Sequence, residues 1–317
     1  MKHIIITGGA GFIGSHLCDT FLSRGYAVTA VDNLLTGKLD NLSDAFSHPH
    51  FQFLEQDICQ PLAPEELPFL SQYGLHGILH FACPASPVDF DRIPFEILQV
   101  DSVGTIHTVE LALKHQARYL VASTSEIYGD PLEHPQKESY WGNVNTIGPR
   151  ACYDETKRFA EAYVSTAIRL KKLNGGIVRI FNTYGPRMRI DDGRIVPELC
   201  QLAIHDKPLT VHGTGQQTRS FCYVSDLVNG IVRLFESSVT VPVNIGNPDE
   251  RTVLDFVKTL QKIAACRSTI EFLPGRVDDP QRRCPDITRA QTLLQWSPQV
   301  PIEEGLQLSL DYFRAWV

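Results

Sequence analysis

Short apolar runs alternate with amphipathic stretches along the first half of the chain. The runs lie at residues 4–6, 27–31, 51–54, 77–81, 119–123 and 176–180, and helical patterns fill much of the sequence between them. Apolar strands that alternate with helices are typical of a parallel sheet covered by helices on both faces. The pattern therefore predicts an α/β fold built on a doubly wound parallel sheet of the Rossmann type.

The hydrophobic pattern becomes looser after about residue 181, where Gly, Pro and Arg are frequent. Short β runs at 209–212 and 221–224 are joined by helical patterns at 226–235, 253–265 and 287–294. We therefore expect a smaller C-terminal α/β domain for substrate binding, over residues 181–317, after a first domain of residues 1–180. Pieces near 224–247, among them the apolar run 243–245, are expected to return to the first domain.

Composition narrows the class of protein. Hydrophobic residues make up 43% of the chain, and the net charge of −7 argues against a groove for nucleic acid or a cationic face for membrane. The eight cysteines include no C-x-x-C pair, so we expect no zinc or other metal site and a reducing compartment. No apolar stretch is long enough for a signal peptide or a bilayer span, which predicts a soluble, cytoplasmic protein.

A glycine-rich turn follows the first predicted strand. Gly8, Gly11 and Gly14 are spaced G-x-x-G-x-x-G and open the first helix, predicted over 15–24. Glycines there let backbone N–H groups approach a pyrophosphate at the positive end of the helix dipole. Asp32 ends the second strand beside Asn33, where a carboxylate accepts hydrogen bonds from the adenosine ribose and repels a 2′-phosphate. These features together predict NAD, rather than NADP, as cofactor.

Tyr153 and Lys157 form a candidate oxidising pair. They are four residues apart in a predicted helix over 151–170, so they share one face. A nearby ammonium is expected to lower the tyrosine pKa, so that the phenolate can take a proton from a sugar hydroxyl. Tyr-x-x-x-Lys also arises by chance on surface helices. Its place after the glycine turn and the hydroxyls of the fifth strand favours the catalytic interpretation, with Thr124 as the hydroxyl that binds the sugar oxygen.

Longer motifs extend this pattern over nearly the whole chain. They are GGAGFIGSHL (8–17), DNLLTG (32–37), HFACPASP (80–87), STSEIYGDP (123–131), YWGN (140–143), GPRACYDE (148–155), IFNTYGPRM (180–188), DGR (192–194), QTR (217–219), YVSDLVNG (223–230) and DDPQ (278–281). With them the chain resembles the extended short-chain dehydrogenase/reductase family. Within that family it is most similar to the UDP-glucuronate decarboxylases, also called UDP-xylose synthases.

The resemblance implies a reaction without net redox change. NAD oxidises the C4 hydroxyl of UDP-glucuronate, which places a ketone β to the C5 carboxylate. The carboxylate can then leave as CO2, because its electrons delocalise into the carbonyl. The bound NADH returns its hydride to C4, which yields UDP-xylose and regenerates NAD.

The Ser125-Glu126 pair separates related activities. By resemblance, nucleotide-sugar 4,6-dehydratases carry Asp-Glu here, UDP-apiose synthases tend to carry Cys in the first position, and many 4-epimerases carry a small residue in place of Glu126. The pair therefore favours decarboxylation, with Glu126 near the C5 carboxylate, where it assists departure of CO2 or reprotonation of C5. A capping carboxylate is the alternative interpretation of Glu126.

The resemblance implies three sets of site residues. The catalytic set is Thr124, Ser125, Glu126, Tyr153, Lys157 and Arg283. The cofactor set is Gly8, Gly11, Phe12, Ile13, Gly14, Asp32, Asn33, Thr36, Gly37, Asp57, Ile58, Tyr153, Lys157 and Thr183. The substrate set is Pro84, Glu126, Asn182, Arg187, Arg194, Arg219, Arg276 and Arg283, with surface ion pairs as the alternative for Arg276 and Arg283.

Two positions depart from the family pattern. Gln99 stands where a lysine is usual, and Asp101 stands where an asparagine is usual before Gly-Thr. Both put cofactor handling or substrate choice in question. Two other functions therefore stay open, namely a UDP-glucuronate or UDP-hexose 4-epimerase and a non-catalytic NAD-binding regulator. A homodimer is also expected, in which helix 103–114 and the Tyr153 helix pair across a two-fold axis.

Overall fold

The strands and helices come from a computed structural model, which describes residues 1–275 and 282–315. In these residues the strands are β1 His3–Thr7, β2 Ala27–Asp32, β3 Phe51–Glu55, β4 Gly77–His80, β5 Arg118–Thr124, β6 Gly175–Ile180, β7 Thr183–Tyr184, β8 Leu209–His212, β9 Thr218–Ser220, β10 Cys222–Tyr223, β11 Pro242–Ile245, β12 Glu250–Thr252, β13 Ile270–Leu273 and β14 Arg282–Arg283.

The α-helices of the same residues are α1 Phe12–Ser23, α2 Ser43–Phe46, α3 Pro68–Tyr73, α4 Pro87–Arg92, α5 Pro94–Gln99, α6 Thr105–His115, α7 Ala151–Lys171, α8 Ile195–Ile204, α9 Val224–Glu236, α10 Val253–Ala264, α11 Thr288–Leu294 and α12 Ile302–Arg314. Short 3-10 turns lie at Leu39–Leu42, Pro64–Glu66 and Ser125–Tyr128, and a π-helical turn at Val100–Gly104 joins α5 to α6.

A seven-stranded parallel sheet organises the fold. Its strand order is β11-β6-β5-β4-β1-β2-β3, and every neighbouring pair is parallel. All five residues of β1 are buried, as are all seven of β5. The α/β Rossmann-type fold expected from the apolar runs is confirmed.

Helices cover both faces of this sheet. Side chains alternate along a strand, so Ile4 and Ile6 pack with residues of α1 and α9, whereas Ile5 packs with residues of α6 and α7. Each face therefore buries its own apolar layer. This explains why the strands read as continuous apolar runs rather than as alternating ones.

The C-terminal part of the chain adds small sheets and helices to one end of the large sheet. Strands β8 and β13 pair with each other, and β9 lies between β12 and β14. Helix α12 packs on α8 and α10. The apolar run 243–245 lies within β11, at the edge of the large sheet beside β6. Among the described residues, no helix combines the length and the apolar character needed to cross a membrane.

Two predicted helix boundaries are wrong for reasons of local geometry. Helix α1 begins at Phe12 rather than at residue 15, because the extended Gly11 ends the turn and Gly14 is accommodated inside the first helical turn. The helix expected from residue 103 starts as regular α-helix only at Thr105, because the preceding residues form the π-helical turn. Both deviations lie beside the cavity described next.

Candidate active site

The predicted residues meet in one large cavity at the carboxyl ends of the parallel strands. Its volume is about 550 Å³, and it extends from the β1–α1 turn to α8 and β9. Such a position is where open α/β sheets bind ligands. Of the predicted site residues, the structure places the following on its wall: Gly8, Gly11, Phe12, Ile13, Gly14, Asp32, Asn33, Thr36, Asp57, Ile58, Pro84, Thr124, Ser125, Glu126, Tyr153, Lys157, Asn182, Thr183, Arg187, Arg194, Arg219 and Arg283.

Two predicted residues are not among the wall residues. Gly37 lies behind Asp32, since a Cβ added there would meet the Asp32 carboxylate oxygens at 2.9 Å. Gly37 therefore packs closely against that carboxylate, and its predicted role at the cofactor stays a prediction. Arg276 lies outside the described residues, and its predicted role stays a prediction.

The glycine turn leaves space that only glycine permits. Gly8 has a φ of +69°, and its N–H donates to the Val31 carbonyl at 2.8 Å. A Cβ at Gly14 would lie 2.0 Å from the Gly8 carbonyl oxygen. Strand β1 can therefore turn directly into α1, so that the start of the helix faces the cavity.

Asp32 is fixed at the end of β2 by backbone donors. The Ala10 N–H donates to its Oδ2 at 3.0 Å, and the Leu34 N–H donates to its Oδ1 at 2.8 Å. Burial raises the pKa of this carboxyl, and the two N–H bonds oppose that effect. Each oxygen keeps a second lone pair for a hydroxyl donor. The carboxylate can therefore hold a diol at the end of the cavity.

Tyr153 and Lys157 lie side by side on α7, as the spacing predicts. Both side chains are buried, and the Lys157 Nζ lies 5.7 Å from the centroid of the Tyr153 ring. The ammonium donates to the Ala122 carbonyl at 3.0 Å and to Asp101 Oδ1 at 3.1 Å. Phe90 stacks on the Tyr153 ring with centroids 5.1 Å apart and fixes its plane. The pair is thus rigid and is not a solvated surface pair.

The expected lowering of the Tyr153 pKa is wrong. Burial raises the pKa of the phenol well above its usual value, and this outweighs the lowering by Lys157 and by a hydrogen bond with Thr124. Asp101 adds to the rise. The attraction of the ammonium is present, as predicted, but a buried phenolate loses its hydration.

The hydroxyls at the end of β5 have different surroundings. Ser123 donates to Glu161 Oε1 at 2.5 Å, and Glu161 is paired with Arg179, so the Ser123 hydroxyl has a structural contact. The Thr124 hydroxyl accepts from the Glu126 N–H at 3.2 Å and lies on the cavity wall. Ser125 is buried on the same wall. Thr124 and Ser125 are therefore available to a ligand.

Glu126 lies between two guanidinium groups. Arg150 Nη2 donates to its Oε2 at 2.6 Å, and Arg283 Nη1 donates to its Oε1. Burial would raise the pKa of the Glu126 carboxyl, but Arg283 and Arg150 prevail and lower it to about 2. Arg283 is only 4% exposed. The surface ion-pair alternative for Arg283 and the capping alternative for Glu126 are therefore wrong.

The other predicted arginines line the outer part of the cavity and already have partners. Arg187 Nη1 donates to Asp19 Oδ2 at 2.6 Å, and Arg194 Nη2 donates to Asp192 Oδ2 at 2.7 Å. Arg219 Nη1 donates to the Thr218 carbonyl at 2.8 Å. These contacts orient each guanidinium on the cavity wall.

Sequence reasoning gave no role to Arg150 and Phe90. Arg150 lies three residues before Tyr153, next to the start of α7, and its guanidinium lies 5.4 Å from the centroid of the Phe90 ring. The helical spacing of Arg150 and Tyr153 could have indicated a shared face. The contact with Glu126 crosses a long loop and has no local signal in the sequence.

Metal-binding clusters are absent from the described residues, in which no group of three or more His, Cys, Asp or Glu side chains could hold an ion. The cavity wall brings together the Tyr153 phenol, the buried Lys157 ammonium, the Thr124 and Ser125 hydroxyls and the Arg283 guanidinium.

Comparison with known proteins agrees with this geometry. The family model of GDP-mannose 4,6 dehydratase matches residues 5–308. UDP-glucuronic acid decarboxylase 1 of Danio rerio is 47% identical over 312 residues, which cover 98% of this chain and 72% of that protein. UDP-glucuronic acid decarboxylase 2 of Arabidopsis thaliana is 47% identical over 311 residues, which cover 98% of this chain and 68% of that protein.

A solved structure provides a further comparison. The UDP-glucuronic acid 4-epimerase from Bacillus cereus, in complex with UDP-glucuronic acid and NAD, is 28% identical with a TM-score of 0.89, and the match covers all of both chains. Its fold is shared, but its identity to this chain is well below that of the decarboxylases. The chain therefore belongs to the UDP-glucuronic acid decarboxylase family of extended short-chain dehydrogenase/reductase enzymes.

Proposed function

We propose that this protein is an NAD-dependent carboxy-lyase that converts UDP-glucuronate to UDP-xylose. The observation that carries the proposal is the contact of Arg283 with Glu126 in the same cavity as Tyr153 and Lys157. It combines an oxidising pair with a guanidinium suited to a sugar carboxylate. An enzyme that only oxidises and reduces C4 of a neutral sugar has no need of such a group.

The cofactor is NAD, and the described residues fit it. The tight contact of Gly14 with Gly8 keeps the start of α1 free of side chains, as a pyrophosphate requires. The Asp32 carboxylate suits a ribose diol and opposes a phosphate. NAD held by these residues would supply the acceptor, and then the donor, of the hydride exchanged with C4. Asn33, Thr36, Asp57, Ile58 and Thr183 are proposed to line its binding site.

Tyr153 is the proposed general base for oxidation of C4. Its phenol gives up its proton to solvent and then accepts the proton of the C4 hydroxyl, while Thr124 hydrogen-bonds the same sugar oxygen. Lys157 stabilises the phenolate through its charge. Because burial raises the pKa of Tyr153, a positive charge on NAD held beside it would add to that of Lys157 in favouring the phenolate.

The carboxylate end of the sugar is proposed to bind at Arg283. Glu126 now occupies that guanidinium, so an arriving substrate carboxylate competes with it for the same donors. Once C4 is a ketone, the C4–C5 enolate forms as the bond from C5 to the carboxylate breaks and CO2 leaves. A proton then returns to C5. Glu126 has a pKa of about 2 while it contacts both arginines, so in that arrangement it is ionised and does not donate this proton.

The diphosphate of the substrate is proposed to bind in the outer cavity. Asn182, Arg187, Arg194 and Arg219 line it, and Arg276 is proposed to join them. The overall charge of the chain is −7, so attraction of a UDP-sugar depends on this local group of guanidiniums. Residues 1–180, with returning pieces near 224–247, are proposed as the cofactor domain and residues 181–317 as the substrate domain.

A cytoplasmic homodimer is the proposed working form. The eight cysteines are all free, as is typical of a reducing compartment. Near α7 an apolar surface is formed by Phe95, Leu98, Val103 and Phe159, which are 38–73% exposed. A two-fold axis through this surface would bury these side chains in a helical interface.

The test of the function is incubation of the purified protein with UDP-glucuronate, with products followed by mass spectrometry and NADH by absorbance. Loss of CO2 to a UDP-pentose, without NADH accumulation, is the expected result. A product of unchanged mass but new retention time would identify a 4-epimerase, the activity in the name of the Bacillus cereus protein. No reaction, with NAD still bound, would favour the non-catalytic regulator.

A further inference from the structure

Lys157 has an acidic partner for which the chemistry above has no use. Its Nζ lies 3.1 Å from Asp101 Oδ1, and the two side chains are 5% and 1% exposed. The same ammonium donates to the Ala122 carbonyl at 3.0 Å. The Cys83 thiol has a hydrogen-bond contact with the same ammonium, so all three of its N–H donors have protein groups nearby. Lys157 therefore enters the site with its charge largely compensated.

The π-helical turn between α5 and α6 places Asp101 against Lys157. Such turns interrupt a regular helix and are frequent at functional sites. Asp101 is not among the residues on the cavity wall, and its carboxylate also has a hydrogen-bond contact with the Cys83 thiol. Burial raises the pKa of Asp101, and the charge of Lys157 opposes that rise. An asparagine, the residue expected here from the family pattern, could accept the same hydrogen bond from Lys157. What Asp101 adds is a negative charge.

Other titratable groups also surround this ion pair. Those that act electrostatically on Lys157, Asp101 or Tyr153 are Cys59, His80, Cys83, Tyr119 and Arg194. Burial lowers the pKa of the His80 imidazole to about 3. It raises the pKa of the Cys59 and Cys83 thiols and of the Tyr119 phenol, so all four groups are neutral at pH 7.

Several other charged groups lie near α7. Burial, followed by the nearby Glu126, raises the pKa of the Asp154 carboxyl, next to Tyr153, to about 7, so this group also titrates near neutral pH. Arg194 is paired with Asp192, and Glu126 is engaged by Arg150 and Arg283. Asp101 is therefore the group that balances the ammonium of Lys157 within the described residues.

We propose that Asp101 is a positioning residue that sets the pH range of the reaction, because its carboxylate offsets the Lys157 charge that would otherwise make Tyr153 more acidic. The proposal rests on Tyr153 as the base of the proposed function. An opposite charge within contact distance shifts a titration by about 1–3 pH units, and Asp101 acts on Tyr153 at one remove, so the lower end of this range applies. The Asp101 carboxylate is expected to lower activity at low pH. It also keeps the buried Lys157 protonated.

The first test is the pH profile of kcat/KM for the Asp101→Asn variant with UDP-glucuronate. Its acid limb is expected to move to lower pH by about 1 unit, since the amide keeps the shape and removes the charge. Glu110→Gln is the matched control, because it removes one negative charge from an exposed position of α6. An acid limb at the wild-type pH, with uniformly lower rates, would reduce Asp101 to a structural residue and overturn the proposal.

The second test measures Tyr153 directly and needs no turnover. Phenolate absorbance is titrated in wild type, Asp101→Asn and Tyr153→Phe without added ligand, and the Tyr153→Phe curve is subtracted from each of the other two. Tyr153 is expected to ionise at lower pH in Asp101→Asn than in wild type. If that variant does not fold, the wild-type curve still decides, since ionisation of Tyr153 below neutral pH with Asp101 in place would overturn the proposal. Lack of turnover would remove the proposed function and leave this titration valid.

Discussion

Tyr153 is the residue on which the oxidation step depends most directly. Tyr153→Phe keeps the ring that stacks on Phe90 and removes only the hydroxyl. We expect turnover to fall by about 10²- to 10⁴-fold, the usual contribution of a general base, with bound NAD retained. Product formation and the nucleotide released on denaturation measure the two properties. Activity within a few-fold of wild type would remove Tyr153 from the base role.

The ion pairs of Glu126 should make the free energy of unfolding depend on pH. Its pKa is about 2 in the folded protein against 4.5 for an ordinary glutamate, so its contribution is present above pH 4.5 and is lost as the pH falls toward 2. The difference in unfolding free energy between wild type and Glu126→Gln should therefore narrow by about 1 kcal/mol between pH 6 and pH 4.

Urea denaturation at the two pH values measures this difference. Glu271→Gln, at an exposed position of β13, is the control, and its difference from wild type should stay constant. If the difference in unfolding free energy between wild type and Glu126→Gln is the same at both pH values, the carboxylate does not titrate with the lowered pKa.

At the scale of elements, the β1–α1 turn tolerates no side chain at Gly14. An added Cβ would lie 2.0 Å from the Gly8 carbonyl, so the turn has to open. We expect Gly14→Ala to lower the unfolding free energy by about 1–3 kcal/mol and to lose bound NAD. Thermal unfolding and nucleotide content measure both effects. In the control Gly275→Ala the new methyl group meets no atom of the described residues within 4 Å, so retention of NAD in both variants would contradict this account.

Elements with strong local patterns could be predicted from the sequence, and those fixed by tertiary contacts could not. The apolar run 27–31 predicts β2, because turn residues border it on both sides. In the structure β2 extends one residue further, to Asp32. The π-helical turn at Val100–Gly104 has no such signature. Its geometry depends on how α5 and α6 pack against α7.

The candidate site divides in the same way. Spacing in the sequence is enough to find two pairs of site residues. Gly8 and Gly14 share one turn, and Tyr153 and Lys157 share one face of a helix. The contact of Arg283 with Glu126 joins residues 157 positions apart, so only the fold brings them together. The direction of the Tyr153 pKa shift could not be predicted, because the spacing of residues along a helix does not show how deeply they are buried.

For the whole molecule, the exposed apolar surface beside α7 predicts self-association. Phe159 is 41% exposed on this surface, and Phe159→Glu would place a charge in the proposed dimer interface. We expect wild type to be a dimer at micromolar concentration and the variant a monomer, by light scattering. Phe272→Glu is the control, since Phe272 is 55% exposed on β13. A monomeric wild type would refute the dimer.

The place of β11 at the edge of the large sheet has a consequence for synthesis of the chain. Until residues 242–245 leave the ribosome, β6 is an unpaired edge of an apolar parallel sheet. Arg118 of β5 also lacks its acceptors until then, since its guanidinium donates to the carbonyls of Leu234, Phe235 and Val239. An open apolar edge is a template for pairing with other chains. The nascent chain should therefore depend on chaperones through the interval between translation of β6 and translation of β11.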